Sequence, residues 1–325
     1  MESITKSKLT PDKINEMVKH AFGNSVKSEI ITELTDGCFN SAYMLTLTNG
    51  LKTVLKVSPL KDLLVMRYEK NVMETEVHVL NKIRSLGDIP VPKVLYYDQS
   101  EEIIKNDFFF MEFVEGVPLN KLQSELTEKQ NIEISLELSS YVTRMHSIQC
   151  SHFGHILQDD KKFKTWEEAF LFMIKELLDD AIDAKVLLPY SYDKIYNMVY
   201  EKRSVLNLVK TPSLIHKDLW QGNIFVDPKT MKITGIVDCE RAIYGDTLLE
   251  LVCGFLLDDE NFIKSYAGRV VFEKDEEIRT VLYRIYLYLI MVIECSYRKY
   301  SDEDSSEWAN TQLQVALTDL QKYNI

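Results

Sequence analysis

The chain has few cysteines, and their positions fit neither a zinc site nor a disulfide framework. Its five cysteines, at positions 38, 150, 239, 253 and 295, form no C-x-x-C pair and have no histidine at zinc-ligand spacing. An odd number of scattered cysteines is typical of a reducing compartment. The sequence therefore predicts a cytoplasmic protein without a structural zinc site.

Positive charge is also scarce, since 38 lysines and arginines stand against 50 aspartates and glutamates, a net charge of −12. Nucleic acid and anionic membranes would be repelled, so we expect neither as a partner, whereas a cationic small molecule is compatible. The longest apolar run, residues 281–297, contains Arg284 and Glu294 and predicts a buried helix rather than a membrane span. The first ten residues, MESITKSKLT, have no apolar core and predict no signal peptide.

The periodicity of the apolar residues changes along the chain. Its 325 residues are enough for two lobes. Alternating apolar segments predict strands at residues 29–34, 43–48, 53–58, 94–98 and 108–113. Helical periodicity predicts helices at residues 10–23, 65–86, 132–145, 166–178, 192–208, 245–257, 277–298 and 308–323. The sequence thus predicts an α+β protein, with a strand-rich lobe of residues 1–115 and a helical lobe of residues 116–325.

Lys56 lies inside the apolar strand segment VLKV, where an amine is costly unless its head meets an anion. An exposed edge lysine is one explanation. The other is an ion pair with Glu69, Glu74 or Glu76 of the following helix, which would fix the ammonium for the phosphates of a nucleotide. We predict Glu76, because it directly precedes the apolar stripe that begins at Val77.

Two further segments of the first lobe are candidates for nucleotide contacts. The small, polar turn at residues 35–41 can fold over a triphosphate with its N–H groups towards the anion. An ordinary turn is favoured from its residues alone, because it has one glycine. Gly116 and Pro118 predict a hinge at residues 112–117. There the carbonyl of Glu112 and the backbone of Val114 are predicted to pair with the edge of a purine.

The most informative stretch is LIHKDLWQGNIFVDPKTMKITGIVDCE, residues 214–240. Two apolar runs flank a turn at residues 227–230 and predict a β-hairpin. Asp218 and Asn223 precede the first run, and Asp238 follows the second. Two carboxylates and an amide are therefore expected together at the open end of one hairpin.

Phosphoryl transfer needs such a set of groups. One carboxylate orients and deprotonates the attacking hydroxyl, while an amide oxygen and a second carboxylate hold the Mg²⁺ that bridges the phosphates. The spacing H-x-D-x-x-x-x-N, followed by a strand and an aspartate, is that of kinases. The alternative is a turn-building stretch with Asp218 as a surface acid. The full set favours a kinase, with Asp218 as catalytic base and Asn223 and Asp238 as metal ligands.

An acidic cluster, Asp258, Asp259 and Glu260, follows the helix predicted to end near Leu257. Acids at a helix C-terminus oppose the macrodipole, so another reason must account for them. A solvated loop is one account, and a surface for a polycationic substrate is the other. We carry the second as a prediction and add Glu240 to the acids expected to contact the substrate.

Lys56 and the segments MEFVEG, HKDLWQGN and VDCE, in this order, resemble the aminoglycoside phosphotransferase and choline kinase-like family over residues 30–257. The resemblance implies a bilobal protein kinase-like fold, with a small antiparallel sheet in the first lobe, and ATP or GTP with Mg²⁺. Asp218 stands at the position of the family's base, and Asn223 and Asp238 at those of its metal ligands. It also implies that Asn40 and Ser41 lie in the nucleotide loop.

Three features show where the chain follows the family's pattern and where it departs from it. Cys239-Glu240 after Asp238 is similar to the family's D-x-E and differs from the D-F-G of protein kinases. Lys217 stands where glycine is common and adds a cation beside the base. YGDTLLEL resembles the family's G-D-x-x-x-D-L element, with Glu250 in place of the more usual aspartate.

These observations predict a kinase that transfers the γ-phosphoryl group of ATP or GTP to a hydroxyl of an aminoglycoside-like acceptor, and so an antibiotic-resistance enzyme. A kinase of a metabolite such as choline, ethanolamine, a sugar or a modified amino acid would use the same chemistry. A nucleotide-binding regulator is the third hypothesis, disfavoured because a pure binder has no need of Asp218. The sequence does not choose between ATP and GTP, although Met111 before the hinge is a candidate for limiting the depth of the pocket.

Overall fold

The structure, a computed structural model, describes residues 5–37, 39–299 and 303–323, without the side chains of residues 303–305. The chain forms a strand-rich first lobe and a helical second lobe, which is the bilobal α+β fold predicted from the sequence. One apolar core lies between the first helix and the sheet. A second core runs from the other face of the sheet into the helical lobe. The two lobes therefore share buried apolar contacts.

Five antiparallel strands form the sheet of the first lobe, in the spatial order β1-β2-β3-β5-β4. They are β1 (Ser28–Leu34), β2 (Ser41–Leu47), β3 (Lys52–Val57), β4 (Val94–Asp98) and β5 (Phe108–Glu112). Each lies within two residues of its predicted range. The turn between β2 and β3 contains Gly50 at φ +83°, a conformation that glycine adopts without a Cβ clash.

Two helices pack on this sheet, α1 (Pro11–Phe22) and α2 (Val72–Arg84). The prediction of one helix over residues 65–86 is wrong at its start. Arg67–Glu69 form a separate 3₁₀ turn, and Asn71 has φ 60°, a left-handed conformation that a continuous α-helix does not contain. The 3₁₀ turn is instead held against the second lobe.

The second lobe contains eight described helices around small sheets. The helices are α3 (Leu119–Leu122), α4 (Glu128–His146), α5 (Trp166–Asp183), α6 (Tyr192–Glu201), α7 (Thr247–Cys253), α8 (Glu260–Ala267), α9 (Lys274–Arg298) and α10 (Glu303–Lys322). The strands are β6 (Val117–Pro118), β7 (Phe153–His155), β8 (Lys162–Phe163), β9 (Ser213–Ile215), β10 (Ile224–Val226), β11 (Ile233–Ile236) and β12 (Ile243–Gly245).

Two helices of this lobe are shorter than predicted. Residues 192–208 divide into α6 and a 3₁₀ segment, Arg203–Leu208. The helix predicted to reach residue 257 ends at Cys253, because Phe255 has φ 56°. The helix begins after Asp246, whose side chain caps it by accepting a hydrogen bond from the N–H of Leu248.

The predicted hairpin consists of β10 and β11, and the link between the lobes packs directly on it. β6, the first strand after the link, pairs with β10 in a three-stranded sheet. Gly116 has φ 130°, and a Cβ there would lie 2.7 Å from Thr234 Oγ1 and 2.9 Å from the carbonyl of Val226. Only glycine allows this approach. The end of the first lobe is thereby fixed to the hairpin, while the exact boundary between the lobes stays a prediction.

The apolar run at residues 281–297 lies within α9, a largely buried helix of 25 residues. Among the described residues, the helices include none whose length and apolar character would let it cross a membrane.

Candidate active site

A buried carboxylate holds the start of the loop that follows β9. Glu250 of α7 accepts hydrogen bonds from the N–H groups of His216 and Lys217, the latter at 3.0 Å. Burial would raise the pKa of the Glu250 carboxyl, but His146 and His216 hold it below its usual value. Lys217 between these contacts has φ 65°. Lys217, the residue before Asp218, therefore has a left-handed backbone conformation in this loop.

His216 joins this loop to the end of β11. Its Nε2 donates to the carbonyl of Val237 at 2.9 Å, and its Nδ1 accepts from the N–H of Asp218 at 3.3 Å. The predicted base and the strand leading to Asp238 are thus held in register by one imidazole.

Asp218 and Asn223 lie side by side. The Asn223 amide donates to the Asp218 carbonyl at 2.8 Å and approaches its Oδ2 at 3.4 Å. Since the NH₂ group points to Asp218, the amide oxygen of Asn223 is left as an acceptor for another ligand. Burial raises the pKa of the Asp218 carboxyl to about 6, with Arg241 opposing and Asp238 adding to the rise.

Asp238 occupies a left-handed turn directly after β11, at φ 69° and ψ 48°. Its carboxylate lies 2.7 Å from the ammonium of Lys56 on β3. Burial would raise the pKa of Asp238, but Lys56 holds it below its usual value. An ion pair therefore joins the sheet of the first lobe to the hairpin of the second.

Lys56 is buried and lies close to three acids, one on α2 and two in the turn after β11. Its Nζ lies 2.6 Å from Glu76, 2.7 Å from Asp238 and 3.8 Å from Glu240. Although burial opposes the charge, these carboxylates raise the pKa of Lys56 well above its usual value. Glu76 is thus the helix acid that pairs with Lys56. Glu69 pairs elsewhere, and Glu74 forms no ion pair with Lys56.

The acids around Lys56 form an oxygen-rich cluster. Carboxylate oxygens of Glu76, Asp238 and Glu240 lie within 4.8 Å of one another. Burial, with Asp238 adding to it, raises the pKa of Glu240 to about 8, and burial also raises the pKa of Glu76. Glu76 Oε1 is buried and has no partner among the described residues. Carboxylate and amide oxygens are the ligands that Mg²⁺ prefers, so the cluster and Asn223 fit such an ion.

The turn before β2 reaches this cluster. Asn40 donates its side-chain N–H to Glu240. Glu240 therefore contacts the nucleotide turn as well as lying near Lys56. Within the described part of the chain, Asn40 Oδ1 and Ser41 Oγ are buried without a hydrogen-bond partner. The structure thus brings the predicted nucleotide turn to the predicted metal ligands, with two polar atoms left for a ligand.

The predicted hinge begins at Glu112, the last residue of β5. The N–H of Glu112 donates to the carbonyl of Lys93 at 2.9 Å and is therefore not available to a base. Val114 packs against Gly235 of β11, where a Cβ would lie 2.3 Å from Val114 Cγ1. Their role in binding a purine stays a prediction.

The three residues of the acidic cluster have different neighbours in the structure. Asp259 caps α8 and accepts a hydrogen bond from Ser135. It lines a cavity of about 310 Å³ that is also lined by Trp220 and Gln221 of the loop after Asp218. Asp258 lines a different cavity, and Glu260 pairs with Lys264. Of the three acids, Asp259 is therefore the one that borders the catalytic loop.

Sequence reasoning missed a buried ionic network beside Asp218. Arg241 pairs with Glu294 of α9 at 3.1 Å, Glu294 pairs with Arg298 at 2.6 Å, and Arg298 contacts Glu69. The only local signal was the placement of charged residues within apolar segments such as VDCERAIYG and the end of α9. Such residues need partners when buried, but the sequence does not say which ones.

A second missed feature is the segment of residues 66–70, here called the clasp, which fastens the first lobe to the second. Arg67 contacts Asp180 and Asp183 of α5, and the Lys161 ammonium donates to the Arg67 carbonyl at 3.1 Å. At its other end Glu69 meets Arg298. The clasp therefore explains why the chain leaves the predicted helix before Val72.

Lys217 lies next to Tyr68 of the clasp. Its side chain is buried, and its Nζ lies 3.2 Å from the Tyr286 hydroxyl and 5.2 Å from the centre of the Tyr68 ring. Burial, with Arg241 adding to it, lowers the pKa of Lys217 to about 8. Among the described residues no carboxylate forms an ion pair with it. Two cations thus act near Asp218, since Lys217 directly precedes it and Arg241 opposes the rise in its pKa.

Comparisons with known proteins agree with this geometry. The model of the phosphotransferase enzyme family matches residues 30–273. No curated protein matches the chain. Similar solved structures include a thermostable mutant of aminoglycoside phosphotransferase APH(4)-Ia in a ternary complex with AMP-PNP and hygromycin B. Its identity is 16% and its TM-score 0.65, covering 94% of this chain and 98% of the other.

Two more structures extend the comparison. A candidate fructosamine-3-kinase from Thermobifida fusca YX-ER1 has 18% identity and a TM-score of 0.67, covering 95% and 99% of the two chains. A candidate aminoglycoside phosphotransferase from Ralstonia eutropha JMP134 has 12% identity and a TM-score of 0.65, covering 98% and 100%. At these identities the likeness shows the fold.

Proposed function

The chain belongs to the phosphotransferase enzyme family, and we propose that it is a kinase that transfers the terminal phosphoryl group of ATP or GTP to a hydroxyl of a small molecule. The observation that carries the proposal is the convergence of five polar residues from four segments, linked by Asp238, which contacts Lys56 and acts on the charge of Asp218. They are Lys56, Glu76, Asp218, Asn223 and Asp238. This set supplies the groups that phosphoryl transfer requires.

Asp218 is the proposed base. Its carboxylate would orient the acceptor hydroxyl and take its proton as the new P–O bond forms and the bond from the terminal phosphorus to the departing nucleoside diphosphate breaks. The His216 imidazole and the Asn223 amide hold the residue in place on both sides, so the carboxylate is positioned before the acceptor arrives. A pKa of about 6 leaves it ionised at neutral pH and close enough to neutrality to accept a proton.

Asn223 and Asp238 are the proposed Mg²⁺ ligands, with Glu76 and Glu240 beside them. When bound, the ion would neutralise negative charge that develops on the phosphates during transfer. This chain's own part is to orient the oxygen ligands. Asn223 does so by directing its NH₂ group to Asp218, and Asp238 by its left-handed turn.

Lys56 would bind the nucleotide phosphates, held in place by Glu76. Asn40 and Ser41 would add the unpartnered polar atoms of the turn above them. The Glu112 carbonyl and the Val114 backbone are proposed to pair with the purine. Met111, which is buried next to this position, would limit the depth of the pocket. The need for ATP or GTP agrees with the cytoplasmic location predicted from the cysteines.

An aminoglycoside-like molecule is our first candidate for the acceptor. Support comes from the place of Asp259, on the wall of a cavity that the catalytic loop also lines. A carboxylate there can pair with an ammonium group of a polycationic acceptor. A function in antibiotic resistance would follow from this candidate.

A metabolite kinase is the second candidate, and a separate observation favours it. Arg241 opposes the rise in the pKa of Asp218, and Lys217, the preceding residue, is a buried cation. These two cations would repel a polycationic acceptor. A neutral or acidic acceptor, such as a sugar or a modified amino acid, fits these cations better. Choline and ethanolamine, which are cationic, fit less well.

The test is Mg²⁺-dependent turnover of ATP and GTP against hygromycin B, other aminoglycosides, choline, ethanolamine, free sugars and fructosamines. Wild type is compared with Asp218→Asn, and with Asp227→Asn as a matched control on the same hairpin. We expect one acceptor to stimulate turnover in wild type and in Asp227→Asn but not in Asp218→Asn. Stimulation that survives in Asp218→Asn would overturn the assignment of the base.

A further inference from the structure

Arg298, the last residue of α9, is buried at the point where the two lobes meet. Its side chain is 1% exposed. One nitrogen, Nη2, contacts both Glu69 of the clasp and Glu294 of α9, the latter at 2.6 Å. The guanidinium carbon lies 4.6 Å from the centre of the Phe39 ring, in the nucleotide turn. Arg298 therefore contacts the clasp, the helical lobe and the nucleotide turn at once.

The remaining nitrogens of this guanidinium are without partners. Nε and Nη1 are buried, and neither has a hydrogen-bond partner among the described residues. Nearly all buried polar groups in folded proteins are hydrogen-bonded, so an exception needs an explanation, and an absent ligand is one such explanation. Because a guanidinium stays charged and carries donors only, the group that would satisfy Nε and Nη1 is an anion or another strong acceptor.

The surroundings place this guanidinium beside the proposed reaction centre. Phe39 directly precedes Asn40 and Ser41, whose buried Oδ1 and Oγ also lack partners. On the other side Glu294 links Arg298 to Arg241, the cation that most opposes the rise in the pKa of Asp218. Arg298 thus lies between the turn expected to cover the phosphates and the residues around the base.

We propose that Arg298 binds an oxyanion at the proposed kinase site through one of its two unpartnered donors, Nε–H or Nη1–H, which point along different edges of the guanidinium. The anion is either the terminal phosphate of the nucleotide or an acidic group of the acceptor. Glu69 and Glu294 hold the guanidinium by Nη2 and leave the other two nitrogens for the ligand. The inference rests on the proposed function, since it takes the turn and Asp218 as parts of one kinase site.

The test compares the binding of Mg²⁺–AMP-PNP and Mg²⁺–ADP by calorimetry in wild type, Arg298→Lys and Arg67→Gln. Arg298→Lys keeps a cation for Glu69 and Glu294 but removes Nε–H and Nη1–H. Arg67→Gln is the matched control, because it breaks the other end of the clasp without touching the nucleotide turn. A double variant, Glu69→Gln with Arg298→Met, tests the loss of the cation without leaving the clasp carboxylate unpaired. The thermal midpoint of each variant shows that it is folded.

If the anion is the terminal phosphate, Arg298→Lys binds AMP-PNP at least tenfold more weakly while ADP binding stays within twofold. If it belongs to the acceptor, both nucleotides bind as in wild type, and inorganic phosphate binds the Mg²⁺–ADP complex of wild type but not that of Arg298→Lys. Equal weakening of ADP and AMP-PNP, or no difference in any of the three titrations, overturns the inference. A wild type that binds neither nucleotide would instead contradict the proposed function.

Discussion

Asp218 depends on a few neighbours for both its position and its charge. His216 and Asn223 contact it directly, and Arg241 opposes the pKa rise that burial causes. Lys56 depends in the same way on Glu76 and Asp238. At the scale of single residues, the proposed chemistry therefore follows from short contacts between groups of opposite charge, and each contact can be removed on its own.

The pKa of about 6 for Asp218 predicts how activity changes with pH. Only the ionised carboxylate can accept the hydroxyl proton, so kcat/KM should fall about tenfold per pH unit below 6 and level off above it. The check is a profile of kcat/KM from pH 5 to 8 at saturating Mg²⁺, with unfolding followed at each pH. An acid limb centred near 4, the usual value for an aspartate, would show that burial does not tune this residue.

Glu76→Gln tests the ion pair of Lys56. Lys56 would keep Asp238 but lose the carboxylate that fixes its position, so kcat/KM for the nucleotide should fall roughly 10- to 100-fold. Glu74→Gln, two positions away on α2, is the control and should stay within twofold. Steady-state kinetics with varied Mg²⁺–ATP measure both. Equal effects of the two substitutions would mean that Glu76 has no special role.

At the scale of elements, the clasp and the hairpin both join the lobes, and they do so by different means. β6 and β10 join the link to the hairpin by backbone pairing, and Gly116 permits their close approach. The clasp uses charged side chains, with the Arg67 pair at one end and the Glu69 pair at the other. The lobes are therefore connected by a sheet at the hinge and by ion pairs at the clasp.

The Arg67 contacts predict unequal effects at the two acids of α5. Asp180 is buried at 1% exposure, whereas the Asp183 side chain is 54% exposed. Arg67→Gln leaves the buried carboxylate without its cation and should cost about 2 kcal/mol of unfolding free energy. Asp183→Asn should change it by less than about 0.5 kcal/mol. Urea unfolding measures both, and a cost for Asp183→Asn as large as that for Arg67→Gln would contradict this account of the clasp.

At the scale of the whole molecule, sequence and structure agree best where the information is local. Asp218, Asn223 and Asp238 could be placed together because one short hairpin carries them, and a resemblance to known kinases supported the two-lobed fold. Arg298 and Glu69 are 229 residues apart, so no spacing could pair them. The start of α2 was misjudged for a related reason. Contacts of the clasp with the second lobe outweigh the helical pattern of residues 65–71.

The measurement that tests the central claim most directly is Mg²⁺-dependent turnover and binding of ATP and GTP in wild type, Asp218→Asn and Asp238→Asn. The account predicts that Asp218→Asn binds the nucleotide within a few-fold of wild type and loses turnover by orders of magnitude. Asp238→Asn should also need far more Mg²⁺, because it loses a proposed ligand. Turnover in Asp218→Asn equal to that of wild type would contradict the account.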